Sequence, residues 1–163
     1  MAVGQTLATP FLPGFFMNAS TAPSELFQRI EASFLRQGLM QHLGARLVRV
    51  EPGLCEVALP YSERVNQQQG GFHGGAMGAL ADIAGGYAAL TQVAPDMEVT
   101  TVEYKINFLA GFQGGELRAV GRVTRAGRRI IVTTADVTHR DADGKESACA
   151  LMQQTIAPVP KTY

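Results

Sequence analysis

Residues 66–90 read NQQQGGFHGGAMGALADIAGGYAAL, and this stretch decides the fold of the chain. Its early glycines predict a loop, because glycine adopts backbone angles that other residues avoid. From about residue 75 the pattern predicts an α-helix. On a helical wheel of 100° per residue, the face around Asp82 carries only small residues, namely Gly75, Gly78, Ala79, Gly85, Gly86 and Ala89. The opposite face carries the larger apolar residues Met77, Leu80, Ile83 and Tyr87, which we expect to pack on a sheet while the Asp82 face stays free for close approach.

A lone carboxylate at the centre of such a face needs solvent, a partner or a chemical task. In one interpretation Asp82 is a partly exposed helical residue, and the glycines only allow tight packing. In the other, the glycine loop supplies free N–H groups at the positive end of the helix dipole, which is a site for an anion or an oxyanion. Both interpretations stay open at the level of sequence.

Length and charge exclude several classes of protein. The chain has 163 residues, enough for one domain with a substantial core and too few for two. Its 14 basic and 14 acidic residues balance, which argues against nucleic acid or an anionic membrane as a main partner. No apolar run approaches the roughly 20 residues that cross a bilayer, and the N-terminal residues lack the basic start of a signal peptide. We therefore predict a cytoplasmic protein in which Cys55 and Cys149 are reduced and packed.

The order of predicted elements indicates an α+β fold. A helix at 24–37 precedes two short strands (45–50 and 54–59), the long helix, and four further strands at 99–109, 116–125, 129–139 and 145–156. Because crossover helices are missing, the sheet must be antiparallel, and we expect it to curl around the helix that carries Asp82. Residues 1–22, rich in Pro, Gly, Ala and Thr, are predicted to form an N-terminal arm, with 23–163 as a single domain.

The strand predicted at 99–109 shows a period of two. Strict alternation places Val102, Tyr104, Ile106 and Phe108 on one face, and Thr101, Glu103, Lys105 and Asn107 on the other. The sequence therefore predicts that Thr101 faces away from the apolar side of this strand.

This order of elements, together with the segment 66–82, resembles the hot-dog fold, in particular its phenylacetate-pathway-type acyl-CoA thioesterases. The motif that carries the resemblance is an Asn, a short loop, His-Gly-Gly and, seven residues past the second Gly, an Asp. Here these are Asn66, His73, Gly74, Gly75 and Asp82. The resemblance implies hydrolysis of an acyl-CoA thioester to free acid and CoA. Nucleotide-binding, P-loop and zinc-ligand motifs are missing, so we expect no cofactor and no metal ion.

The resemblance also implies roles for individual residues. Asp82 is expected to act as nucleophile or general base, and the backbone N–H of Gly74 to hold the thioester oxygen. Asn66 and His73 would position the thioester or the water. The resemblance further implies that the hydroxyl of Thr101 lies near the attacking water, and Gly75 is expected to contact the substrate.

The helix itself adds a constraint on assembly. Between Gly74 and Asp82 it rises about 12 Å at 1.5 Å per residue. An oxyanion donor and an attacking group must both come within about 3 Å of one carbonyl. We therefore expect Gly74 of one subunit to meet Asp82 of another, which requires at least a homodimer. The resemblance implies a homotetramer.

A hairpin near residue 127 is a candidate for binding the phosphates of CoA. Arg125, Arg128 and Arg129 cluster there, and guanidinium groups suit phosphate well. The same sequence fits an ordinary solvated turn equally well, so both interpretations are kept.

Two other functions fit the same fold. An enoyl-thioester hydratase or dehydratase would pair a basic His with an acid across the site, whereas this helix offers Asp82 without a helical His. A catalytically silent acyl-CoA-binding module would bind the thioester without cleaving it. Release of free thiol from acyl-CoA separates both from a thioesterase.

Overall fold

The computed structural model describes residues 24–163, and the predicted arm at 1–22 lies outside them. The helices are α1 (Glu25–Phe34), α2 (Gly38–Leu43) and α3 (Gly74–Leu90), with a short 3-10 turn at Glu63–Val65. The strands are β1 (Arg46–Glu51), β2 (Leu54–Pro60), β3 (Met97–Phe108), β4 (Glu116–Ala126), β5 (Ile131–Arg140) and β6 (Glu146–Pro160). The predicted order is confirmed, and α2 is an element that the sequence prediction missed. No helix within 24–163 is both long and apolar enough to cross a membrane.

The six strands form one antiparallel sheet in the order β1-β2-β4-β5-β6-β3. Tight turns join β1 to β2, β4 to β5 and β5 to β6, as the glycine positions predict. The chain reaches the far edge through α3, which lies across the sheet and leads into β3. The predicted α+β hot-dog architecture, a sheet packed around one long helix, is confirmed.

The face of α3 that lies on the sheet differs from the prediction. Met77, Leu80 and Tyr87 are buried as expected, but so are Gly85 and Ala89 from the face that was expected to be free. A Cβ on Gly85 would overlap the side chain of Gln154 from β6. The small residues therefore bring part of α3 close to its own sheet, and only part of the Asp82 side remains open.

The backbone of α3 packs directly on β4 at Gly121. A Cβ there would overlap the backbone carbonyl of Ala84, and backbone cannot move aside as a side chain can. We expect Gly121→Ala to lower the free energy of unfolding by about 1–3 kcal/mol, measured by chemical denaturation. Gly86→Ala is the matched control, because an added Cβ meets no described atom within 4 Å. That variant should gain about 0.5–1 kcal/mol from the better helix propensity of alanine, and equal destabilisation of both variants would contradict this packing.

A β-bulge in β3 overturns the predicted alternation. The register with β6 shifts between Thr101 and Glu103, so Val102 is an extra residue in the ladder. Beyond the bulge Ile106 packs on the core, and before it Thr101 also faces α3, where its hydroxyl reaches Asp82. The prediction that Thr101 and Ile106 lie on opposite faces is wrong, because one extra residue reverses the facing of everything beyond it.

Candidate active site

The carboxylate of Asp82 projects from the middle of α3 and is partly buried. Its Oδ1 accepts a hydrogen bond from the Thr101 hydroxyl at 2.8 Å and another from Nε2 of Gln154 at 2.7 Å. Among residues 24–163 no hydrogen bond to Oδ2 is present, and Asp82 lines a cavity of about 320 Å³. The arrangement fixes one carboxylate oxygen and leaves the other for a ligand.

Gln154 and Thr133 form a buried support beneath this carboxylate. Gln154 is 1% exposed and Thr133 is fully buried. The Thr133 hydroxyl donates to Oε1 of Gln154 at 3.0 Å, which orients the amide so that its Nε2 faces Asp82. The same Nε2 also lies 3.1 Å from the backbone carbonyl oxygen of Asp82.

The sequence analysis missed both residues, although a signal existed. Gln154 occupies a core-facing position of β6 between the buried Met152 and Ile156, and Thr133 does so in β5 between Ile131 and Ala135. A polar side chain in an inward register must find a hydrogen-bond partner. Such a residue therefore indicates a buried polar network.

At the N-terminus of α3, His73 is the N-cap, and its Nδ1 accepts a hydrogen bond from the backbone N–H of Gly75 at 2.8 Å. The N–H groups of Ala76 and Met77 donate to the His73 carbonyl. Within the described part of the chain the N–H of Gly74 has no such acceptor. Gly74 therefore presents the free donor at this helix end, whereas the N–H of Gly75 is used in the cap.

Gly74 opens into a second cavity of about 310 Å³, whose lining includes Gln67, Met77 and Phe108. Asn66 is not part of that lining, and its backbone instead forms a bridge with Phe72. Gln67 thus shares this cavity with Gly74, and the positioning role of Asn66 stays a prediction.

The two cavities share no lining residue. Asp82 belongs to the first and Gly74 to the second, on the same helix and about 12 Å apart along its axis. Within one chain the expected base and the expected oxyanion donor therefore face different spaces. Arg128 lines a third cavity with Gln92 and Pro158, beyond the C-terminal end of α3. Arg128 and Arg129 are exposed, and their contact with CoA phosphates stays a prediction.

The two cysteines lie outside this chemistry. Both are free and buried, as the sequence predicts. Burial raises the pKa of Cys55 to about 12 and that of Cys149 to about 11. Both thiols are therefore protonated at neutral pH and are poor nucleophiles.

Comparison with known proteins adds an independent observation. The thioesterase superfamily model matches residues 69–145, which include Gly74, Asp82 and Thr101. A 1,4-dihydroxy-2-naphthoyl-CoA hydrolase of Listeria monocytogenes is 32% identical over 120 residues, covering 74% of this chain and 94% of that protein. The chain belongs to the thioesterase superfamily.

Further relatives agree with this membership. A Saccharolobus solfataricus protein whose name proposes an esterase is 35% identical over 130 residues, which are 80% of this chain and 86% of that protein. The crystal structure of a thioesterase family protein from Silicibacter pomeroyi superposes with a TM-score of 0.80 at 35% identity, covering 83% of this chain and 99% of that one. The predicted hot-dog thioesterase family and the predicted enzyme class are confirmed at this level.

Proposed function

We propose that this thioesterase family member hydrolyses an acyl-CoA thioester, with Asp82 as the reacting carboxylate. The observation that carries the proposal is the asymmetry of that carboxylate. Thr101 and Gln154 hold Oδ1, whereas Oδ2 is left for a ligand in the cavity. A side chain fixed on one oxygen presents the other in a defined direction, which is what a positioned base or nucleophile requires.

The chemistry breaks the bond between the acyl carbon and the CoA sulfur. If Oδ2 acts as a base, it removes a proton from water as the water oxygen attacks the acyl carbon. The proton then passes to the departing thiolate. If Oδ2 attacks directly, a mixed anhydride forms and water hydrolyses it in a second step. Both routes place negative charge on the thioester oxygen, which needs a donor such as the free N–H of Gly74.

The proposed site combines two subunits. β3 lies at the end of the sheet with only β6 beside it, so its other edge is free within the described chain. Val102 and Phe108 on this strand are 61% and 55% exposed. A second copy paired here would bury them and satisfy the free edge.

Contacts of β3 with α3 define how the copies would meet. Gly74 lies beside the ring of Phe108 near one end of β3, and Asp82 bonds Thr101 nearer the other end. Antiparallel pairing of two β3 strands about a twofold axis near residues 104 and 105 places Phe108 of one copy opposite Thr101 of the other. This pairing supports a site in which the Gly74 amide of one copy meets the Asp82 carboxylate of the other.

Thiol release from a panel of acyl-CoAs tests the proposed function. The purified protein should liberate one thiol per acyl-CoA consumed, with the free acid as the other product. A folded protein that binds the panel without releasing thiol would overturn the proposal in favour of a silent binding module. Loss of enoyl-CoA absorbance without thiol would instead indicate a hydratase.

Gln154→Leu tests the buried support. Without Gln154 the reacting carboxylate loses one of the two hydrogen bonds that orient it, and because misplacement by about 1 Å can cost about 100-fold in rate, we expect kcat to fall about 10- to 100-fold. KM should change little, because Gln154 is absent from the cavity lining. Gln153→Leu makes the same exchange one residue earlier on the exposed face and should leave kcat unchanged. An unchanged kcat in both variants, with the fold retained, would contradict the positioning role.

A further inference from the structure

The Asp82 cavity extends along α3 and has a polar far end. Along α3 its wall consists of Asp82, Ile83, Gly86, Tyr87 and Leu90. The rest of the lining comes from α1 and the residues just after it, from β3 and from the C-terminus, namely Ser33, Arg36, Gln37, Glu98, Val99, Thr101 and Tyr163. Gly86 carries no side chain, and a Cβ there would meet nothing described within 4 Å, so this wall is open. From Asp82 to Tyr87 the helix rises about 7.5 Å, comparable to one aromatic ring with a substituent.

Helix α1 is anchored against this cavity. Nη2 of Arg29 donates to the carbonyl of Leu90 at 2.6 Å, and Nη1 lies 3.4 Å from the carbonyl of Val93. Leu90 is the last residue of α3, and a cation is favourable at this end of a helix. The ring of Phe34 packs on that of Tyr87, with centroids 6.0 Å apart. The α1 wall is therefore held in place by contacts distant from Asp82.

Three polar side chains meet where α1 faces α3, and we call them the hydroxyl cluster: Ser33, Gln37 and Tyr87. Nε2 of Gln37 donates to the Tyr87 hydroxyl at 2.8 Å, and the hydroxyls of Ser33 and Tyr87 are 3.2 Å apart. All three side chains line the cavity. Burial raises the pKa of Tyr87 despite the opposing hydrogen bonds from Ser33 and Gln37, so its hydroxyl is protonated at neutral pH.

One hydroxyl proton of this cluster has no acceptor among the described residues. The two hydroxyls carry two protons, and only one proton can lie between them. If Tyr87 donates to Ser33, the Ser33 proton is spare, and if Ser33 donates to Tyr87, the Tyr87 proton is spare. Within residues 24–163 neither hydroxyl has another acceptor in hydrogen-bonding range. Among the described residues, a donor without a protein acceptor therefore borders the cavity in either arrangement.

We propose that the hydroxyl cluster determines acyl specificity, selecting acyl groups that carry a hydrogen-bond acceptor at the end remote from the thioester over all-hydrocarbon groups. The inference rests on the proposed function for the Asp82 end of the cavity. Ser33 and Gln37 lie outside the family-matched region 69–145, whereas Tyr87 lies inside it. A site built to hydrogen-bond a substrate disfavours an analogue that leaves its polar groups unpaired.

The test compares two substrates of nearly equal shape, 4-methoxyphenylacetyl-CoA and 4-ethylphenylacetyl-CoA. The methoxy oxygen accepts a hydrogen bond, and the ethyl methylene does not. The wild-type kcat/KM should favour the methoxy compound by about 10-fold or more, corresponding to one hydrogen bond with its desolvation cost. The triple variant Ser33→Ala/Gln37→Leu/Tyr87→Phe removes every donor of the hydroxyl cluster and should reduce that preference to about twofold, mainly by lowering kcat/KM for the methoxy compound.

Calorimetry measures the affinity of the protein for the two free acids, and this affinity does not depend on catalysis. The wild-type protein should bind 4-methoxyphenylacetate more tightly than 4-ethylphenylacetate, and the triple variant should bind the two acids equally. Equal kcat/KM and equal affinity in the wild type would overturn the inference, as would a preference that survives in the triple variant. Preferential binding without any thiol release would support the cluster and overturn the proposed hydrolysis instead.

Discussion

Asp82→Asn is expected to reduce kcat for thioester hydrolysis by about 100- to 10,000-fold, the range that a positioned base supplies. Asparagine keeps the size of the side chain and still offers an oxygen to Thr101, so the fold should survive. It removes the negative charge and the basic oxygen that faces the cavity. Thiol release, followed under saturating acyl-CoA, measures the effect directly.

The control for that substitution is Asp136→Asn, an exposed aspartate on β5 that lines none of the three cavities. It makes the same chemical change and should keep wild-type kcat. If Asp82→Asn retained more than about a tenth of wild-type kcat, far above the range expected for a lost base, Asp82 would not be the reacting group.

Gly74→Pro is expected to lower kcat by about 100- to 1,000-fold, the usual cost of losing one oxyanion donor. Proline removes the backbone N–H and adds a three-carbon ring at this position. Gly74 is the first residue of α3, where proline is well tolerated. His73 precedes it with φ −69° and ψ 135°, a conformation compatible with a following proline.

Gly74→Ala separates the effect of the missing N–H from the effect of an added side chain. Its Cβ would lie 3.4 Å from the nearest atom of the Phe108 ring, an ordinary contact, and the N–H is kept. We expect this variant to stay within a few-fold of wild-type kcat. Similar losses in Gly74→Ala and Gly74→Pro would show that crowding, and not the missing donor, limits the reaction.

Much of the fold could be predicted because its signals are local. Turn residues such as Pro52 and Gly53 and alternating apolar residues mark strands, and a glycine-rich loop followed by small residues marks α3. The helix at 25–34 even begins where the sequence predicts it, with Ser24 as its cap, since the Ser24 hydroxyl accepts from the N–H of Phe27. These features depend on neighbours within a few positions.

The remaining features depend on contacts distant in sequence. The bulge at Val102 arises from the pairing of β3 with β6, and a single extra residue leaves no clear mark in an alternating pattern. Gln154 meets Asp82 across 72 positions of sequence, and Ser33 meets Tyr87 across 54. The prediction that the Asp82 face of α3 is entirely free was wrong for a related reason. Gly121, on which the backbone of α3 packs, lies on β4 and is distant from the helix in sequence.

The most direct test of the central claim uses mixed dimers of two inactive chains. Asp82→Asn and Gly74→Pro chains carrying different tags are coexpressed, and the heterodimer is purified through both tags. If each centre takes Gly74 from one chain and Asp82 from the other, the heterodimer contains one intact centre and one centre with both substitutions. It should therefore recover about half of the wild-type activity per dimer. A heterodimer no more active than either parent homodimer would contradict a centre assembled from Gly74 of one chain and Asp82 of the other.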